Sequence, residues 1–301
     1  MITAAVLPWY QALLMGLLQG VTELFPVSSL GHAVLFPKLF GWTEMAQAQS
    51  QPDSYFLPLL VALHVGTAFG LIAYYRATWI DLFRGLLVQL GRARDEGPSS
   101  LWTVNRPTTD ARYRLLFLIV LGTIPVGLVG LIFEHKLRSI FSKPHYAAIF
   151  LTINGVIMLV GELIRRRVAH RDARHQLGNL GTTNATIVGS SQIAALFAGI
   201  SRSGVAMVAG LLRGLNHADA AEFSFLLATP VIFLAGIYKI PDLLGPMGDG
   251  IRVRALVAAV VSCFAAYFSV KFLAKWFTTH TLWIFGVYCI VLGVICMMTI
   301  G

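Results

Sequence analysis

Six stretches of this chain stay apolar for about as long as a hydrocarbon core is thick. They run over roughly 56–75, 115–133, 145–164, 222–240, 253–274 and 281–300, and a spanning helix needs about 20 such residues. Only helices and closed barrels satisfy every backbone group in lipid. Uninterrupted runs of this length therefore point to an all-α polytopic membrane protein. Composition agrees: 12% of residues are charged, against about 25% in a soluble domain. The whole of 1–301 reads as a single integral membrane domain. The net charge of +9 is no sign of nucleic-acid affinity, because the arginines cluster in two segments, as membrane topology requires. Cys263, Cys289 and Cys296 fall in apolar runs without metal-ligand spacing and read as packing residues. No basic region precedes the first apolar stretch, and the first Lys or Arg is Lys38, so no cleavable signal peptide is expected.

Two further apolar regions are broken. Residues 4–42 are interrupted by Pro26, Ser28, Ser29 and Gly31, and residues 185–215 by Gly199, Ser201, Arg202, Ser203 and Gly204. Each reads as two half-helices joined by a polar turn, a re-entrant hairpin; a pair of kinked full spans is the alternative. Non-helical backbone at membrane depth is tolerated only where it is buried in protein or lines a cavity. The element order repeats, a broken pair followed by three spans in each half. Gly16, Gln19, Leu24-Phe25 and Gly31 find counterparts in Gly189, Gln192, Leu196-Phe197 and Gly204. We read repeat one as about 4–164 and repeat two as about 185–300. Three crossings per half invert the second half relative to the first, with a site near the midplane at the broken helices.

Charge bias orients this plan. Segment 76–114 carries Arg76, Arg84, Arg92, Arg94, Arg106, Arg112 and Arg114; segment 165–184 carries Arg165, Arg166, Arg167, Arg171 and Arg174. Two spans separate them, so they share a side, which should be cytoplasmic. Lys271 and Lys275 then also fall inside. Lys136, Arg138, Lys143, Arg252 and Arg254 fall outside, a minority against the trend. Both termini should be external. Residues 92–112 read as a loop, preceded by a short interfacial helix over 79–90.

The chemistry concentrates at the breaks. Gln19 and Glu23 are four apart and share a helix face. Pro26 ends that helix, and Ser28, Ser29 and His32 follow at the start of the next, where a helix N-terminus offers N–H groups to an anion. The second break, GISRSG, supplies Arg202, a fixed cation whose fork of donors suits phosphate. Ser201 and Ser203 add hydroxyls, and Gly199 lets backbone approach a ligand. Together these are the parts for phosphoryl transfer: nucleophile, proton shuttle, cation and metal ligand. Plainer readings exist for each. Glu23 could form a structural ion pair with Arg202, and Ser28 or Ser29 could cap a half-helix. His64 in its apolar span reads as structural, Glu162 as interfacial, and Glu222 as either cavity-lining or a cap.

The motifs Q-x-x-x-E followed by PVSSLGH, and SRSG in the second half, resemble the undecaprenyl-diphosphate phosphatase family, the bacitracin-resistance proteins. The similarity covers essentially the whole chain and includes AEFSFLLA at Ala221–Ala228. Gln19, Glu23, Ser28, Ser29, Gly31 and His32 fit the first family motif. Gly199, Ser201, Arg202 and Ser203 fit the second, PGxSRSxxT, which here has Ala198 for the proline and Ala206 for the threonine. The resemblance implies hydrolysis of undecaprenyl diphosphate in the bacterial inner membrane, with the site opening to the periplasm and with membrane lipids and no nucleic acid as partners. A homodimer is compatible with it. Glu23, Ser29, His32 and Arg202 are then the expected catalytic residues, with Gln19, Ser28, Gly199, Ser201 and Ser203 binding substrate. A divalent cation, Mg²⁺ or Ca²⁺, would be held by Glu23 and by Gln19 as a weaker ligand. In one version Ser29 attacks phosphorus with His32 as its base; in another His32 is nucleophile or base for water. The competing class is a polyprenyl-phosphate transporter or flippase, which would use the same inverted-repeat cavity. PVSSLGH superficially resembles the middle block of lipid phosphatases of the K-x6-RP, PSGH and SR-x5-H type, but no K-x6-RP occurs and Val208 stands where their histidine should.

Overall fold

Each of the six uninterrupted apolar runs is a single long helix, and each broken region is two short ones. The computed structural model describes residues 7–51, 54–104, 109–141, 143–168 and 177–300. The first half contains α1 (Trp9–Thr22), α2 (Ser29–Leu39), α3 (Thr43–Ala48), α4 (Phe56–Tyr74), α5 (Arg76–Glu96), α6 (Ala111–Phe141) and α7 (Pro144–Val168). The second contains α8 (Thr182–Ser191), α9 (Arg202–Leu212), α10 (His217–Leu244), α11 (Arg252–Trp276) and α12 (Trp283–Ile300). Six helices, α4, α6, α7, α10, α11 and α12, are long and apolar enough to cross a membrane. Among the described residues there is no strand. The protein is an all-α, multi-pass membrane protein.

The short helices differ in kind. At 1.5 Å per residue, the 11 residues of α2 and of α9 reach about half of a ~30 Å hydrocarbon core. α1 packs on α2 and α8 on α9, so each broken region folds as a hairpin. The interfacial helix expected over 79–90 is longer than anticipated. α5 follows α4 after Tyr75 and continues to Glu96, ending where Gly97 takes a positive φ before Pro98. Much of the expected 92–112 loop is thus ordered. Arg106, Arg171 and Arg174 lie outside the described residues, as do the side chains of Lys136 and Arg138.

The loops after α5 and after α7 meet at one end. Arg114, in the first turn of α6, donates to the carbonyls of Gly178 and Leu180. Ahead of it Asp110 takes hydrogen bonds from Arg112, which with their charge attraction hold its carboxyl down at about 2. Glu162, read from the sequence as interfacial, belongs to the same end, where it is not a surface group. It is fully buried, accepting from His217 Nε2 at 2.5 Å and from Leu282 N at 3.0 Å. A carboxylate near the end of α7 thereby ties together the start of α10 and the turn before α12.

Helix packing runs across the two halves. α1 and α4 both lie on α11, α6 lies on α8, α4 on α10, and α7 on α12. α11 approaches two glycine pairs spaced by four, Gly16 and Gly20 on α1, Gly66 and Gly70 on α4. A Cβ at any of them would collide with a carbonyl of α11, that of Ala258, Ser262, Ala259 or Cys263 respectively. Without a hydrophobic drive between helices in lipid, such close backbone contact supplies the attraction. Thr67 Oγ1 meets Ser262 Oγ at 2.9 Å across the same seam.

Gly66→Ala should therefore force α4 off α11 and destabilise the protein by about 1–3 kcal/mol. Gly91→Ala, in α5 with open space around it, should stabilise by up to about 1 kcal/mol. Thermal unfolding of both variants in detergent checks the contrast; equal melting temperatures would contradict the seam.

Candidate active site

Pro26 starts the first break. It has no N–H to return to the preceding turn and disfavours helical conformation at Phe25, and α1 stops at Thr22. The chain then turns through Ser28, whose φ of 70° is the only positive value at a non-glycine among the described residues. Such a conformation costs of order 1–3 kcal/mol and persists only where surroundings enforce it. Here they do. Ser28 Oγ accepts from Gly31 N at 3.2 Å, capping α2, and from Gly199 N at 3.2 Å, across from the other hairpin. Its carbonyl accepts from His32 N at 3.1 Å and from His32 Nδ1 at 2.7 Å.

The second break is built on the same plan. A 3₁₀ stretch, Gln192–Leu196, leads to Gly199 at φ 110°, and Ser201 caps α9 by accepting from Gly204 N at 3.1 Å. The two turns touch. A Cβ at Gly31 would lie 2.9 Å from Gly199 Cα, and one at Gly204 would lie 3.4 Å from Pro26. Serine cap, one residue, another, then glycine: the spacing is identical in both hairpins. Ser29 and Arg202 are consequently equivalent, each the first residue of its half-helix.

Both point at Glu23. Arg202 Nη2 donates to Glu23 Oε1 at 2.7 Å. Ser29 Oγ donates to Glu23 Oε2, and Gln19 Nε2 donates to the same oxygen at 3.0 Å. His64 of α4 brings Nε2 to 3.4 Å from Oε2. Its Nδ1 donates to the carbonyl of Leu60 at 2.7 Å, which fixes the ring with Nε2 facing the acid. The Glu23 side chain is only 4% exposed, whereas Arg202 and His64 retain 20% and 24%. A ligand would reach the cluster past those two side chains and meet the N-termini of α2 and α9, both of which favour an anion.

The expected site residues thus divide. Gln19, Glu23, Ser29 and Arg202 converge. His32 does not join them as the base of Ser29: Nδ1 is on the Ser28 carbonyl, Nε2 is 2.8 Å from Tyr288 Oη, and the two rings stack. Ser29 has Glu23 as its partner instead. Ser28, Gly199 and Ser201 hold the breaks in shape. Ser203 pairs with Ser201 Oγ at 3.0 Å, and its carbonyl accepts from Ser224 Oγ at 3.3 Å. That last contact explains the AEFSFLLA segment, whose Phe223 and Phe225 are fully buried while Ser224 hooks α10 onto α9.

Three residues escaped sequence reasoning in these roles: His64, Tyr288 and Asn154. Asn154 is the only amide in the 145–164 run, a signal that was available. It is fully buried, donates from Nδ2 to the Pro26 carbonyl at 3.0 Å and accepts at Oδ1 from Ser201 N at 3.0 Å.

A divalent cation has limited protein ligands here. Among the described residues no group of three or more His, Cys, Asp or Glu side chains gathers. Beside Glu23, however, Gln19 Oε1 is buried without a hydrogen-bond partner. One carboxylate and one amide oxygen suit Mg²⁺, which keeps several waters and takes substrate phosphate oxygens as ligands, better than Ca²⁺ with its six to eight oxygens.

Known proteins resemble this chain over most of its length. The family model described as bacitracin resistance protein BacA matches residues 12–295. A Frankia alni protein named undecaprenyl-diphosphatase 2 is 42% identical, over 96% of this chain and 97% of its own length. The undecaprenyl-diphosphatase of Mycolicibacterium paratuberculosis is 44% identical over 95% of each chain. Undecaprenyl-diphosphatase 2 of Burkholderia orbicola is 42% identical over 96% of this chain and 95% of that one. With a match over nearly its full length and a serine, an arginine and a glutamate meeting where two hairpins touch, the chain belongs to the BacA bacitracin-resistance family.

Proposed function

We propose that this protein is a membrane phosphatase that hydrolyses undecaprenyl diphosphate to undecaprenyl phosphate and inorganic phosphate, recycling the lipid carrier of cell-wall synthesis and thereby conferring bacitracin resistance. One observation carries the reading: a hydroxyl and a guanidinium, each opening a half-helix, share one buried carboxylate. A carrier of lipid phosphate would need the arginine, but not a serine hydrogen-bonded to a base.

The polyprenyl chain stays in the bilayer while the diphosphate enters between the hairpins. Its oxygens compete with Glu23 for Arg202, whose fork binds phosphate bidentately. Glu23, released from Arg202, is left facing Ser29, whose hydrogen bond it already accepts. Ser29 Oγ then attacks the terminal phosphorus, its proton passes to Glu23, and undecaprenyl phosphate departs. Water next displaces Ser29 from phosphorus, and the proton on Glu23 returns to the leaving Oγ. Arg202 and the two helix N-termini stabilise the charge in transit. His64 lines the entrance opposite Arg202, and His32 keeps Ser28, and with it the orientation of Ser29, in place. Gln19 and Glu23 would hold the divalent cation, which supplies further neutralisation of the diphosphate when bound.

The arginine-rich loops support reading the Glu162 end of the molecule as the cytoplasmic one. On this reading the two hairpins are re-entrant elements of an inverted repeat in a bacterial inner membrane, with the site opening to the periplasmic side.

Phosphate release from a polyprenyl diphosphate by purified protein in detergent tests the function. Ser29→Ala should lower kcat by at least about 10³-fold with the melting temperature preserved; near-normal turnover would remove Ser29 as nucleophile. Arg202→Lys keeps the charge and loses the fork, and a rate loss of about 10²–10³-fold is expected. Unchanged kinetics would refute bidentate phosphate binding. Chelation with EDTA should abolish release and added Mg²⁺ restore it, while indifference to EDTA would dismiss the cation.

A further inference from the structure

We infer that Asn154 is the positioning residue that registers the two hairpins, setting where Ser29 and Arg202 meet; this rests on the phosphatase reading above.

Asn154 sits near the middle of α7, and no part of it is exposed. Its amide is used at both ends. Nδ2 donates to the carbonyl of Pro26, two residues before Ser28, and Oδ1 accepts from the N–H of Ser201, the residue before Arg202. These partners lie in different hairpins, 128 and 47 residues away in sequence. The carboxamide supplies the required donor and acceptor on one short, uncharged planar group. A carbonyl and an N–H in interrupted helices at membrane depth have no water to turn to, so the amide satisfies one orphan from each break.

The amide's own place is fixed. Gly155, its neighbour, packs backbone to backbone against Gly286 of α12. Cys289 Sγ of α12 lies 3.5 Å from Asn154 Nδ2, and Tyr288, next in sequence, holds His32. α7 and α12 thus form one wall on which both turns hang. The direct contacts between turns, Ser28 Oγ to Gly199 N and the Gly31–Gly199 approach, set their spacing. Asn154 sets their register, because it reaches each just before its functional residue. A shift of about 1 Å between reacting groups is enough to lower a rate 10²-fold.

The test is kinetic. Asn154→Ala should lower kcat by about 10²-fold while KM stays within about threefold, because Arg202 still binds phosphate but no longer presents it to Ser29. Asn154→Leu keeps about the volume but removes donor and acceptor together, and should lose a similar factor. If alanine prevents folding, the leucine variant carries the measurement. Arg202→Ala combined with Asn154→Ala should be no slower than Arg202→Ala alone, a non-additivity that a general packing role would not produce. Wild-type kcat in either variant, or losses that multiply, would overturn the inference. A wild-type protein that releases no phosphate would instead sink the phosphatase reading. Asn154 is then judged by spin labels at Phe40→Cys and Leu212→Cys, exposed positions at the C-terminal ends of α2 and α9, with Cys263, Cys289 and Cys296 replaced. Asn154→Ala should broaden the inter-label distance distribution, and an unchanged distribution would overturn the role.

Discussion

An interrupted helix inside a membrane leaves backbone groups that lipid will not satisfy, and the whole centre of this protein follows from how two such interruptions satisfy each other. Ser28 Oγ takes an N–H from each hairpin. Asn154 takes one carbonyl and one N–H. Small residues at Gly31, Gly199 and Gly204 let the turns come into contact. None of these groups needs to touch substrate, yet they hold a positive φ at Ser28 and two helix N-termini facing one point.

At that point stands a carboxylate that no isolated hairpin would tolerate. Glu23 is almost fully buried, and its two oxygens take Arg202 on one side and Ser29 with Gln19 on the other. Removing one partner of a buried ion pair is strongly destabilising, so at rest Glu23 and Arg202 each depend on the other. The structure shows the ion pair that the sequence offered for Glu23, and the proposed mechanism would make that same group the reaction site.

The spans were legible because apolar length is a one-dimensional property. The six runs became α4, α6, α7, α10, α11 and α12 with ends shifted by a few residues. Glu23, Ser29 and Arg202 were legible because charge and hydroxyl at membrane depth demand a purpose. Their division of labour was not. His32 stands three residues after Ser29 and invites pairing with it, but on a helix that begins at Ser29 the ring turns back to the Ser28 carbonyl and across to Tyr288. Only tertiary packing brings Tyr288 there, 256 residues on. Asn154 was overlooked because a neutral amide carries no charge to announce itself. The burial of Glu162 depends on His217 and on a turn before α12, neither of which is near it in sequence.

The equivalence of Ser29 and Arg202 bears on how the enzyme is made. The hydroxyl enters the membrane with the first hairpin, and the guanidinium follows 179 residues after Glu23. Until then Glu23 has no Arg202 to pair with. On the proposed mechanism, a chain that stops short of the second hairpin carries the hydroxyl without the phosphate clamp and would leave the lipid around it intact, so the order of synthesis would itself act as a safety catch.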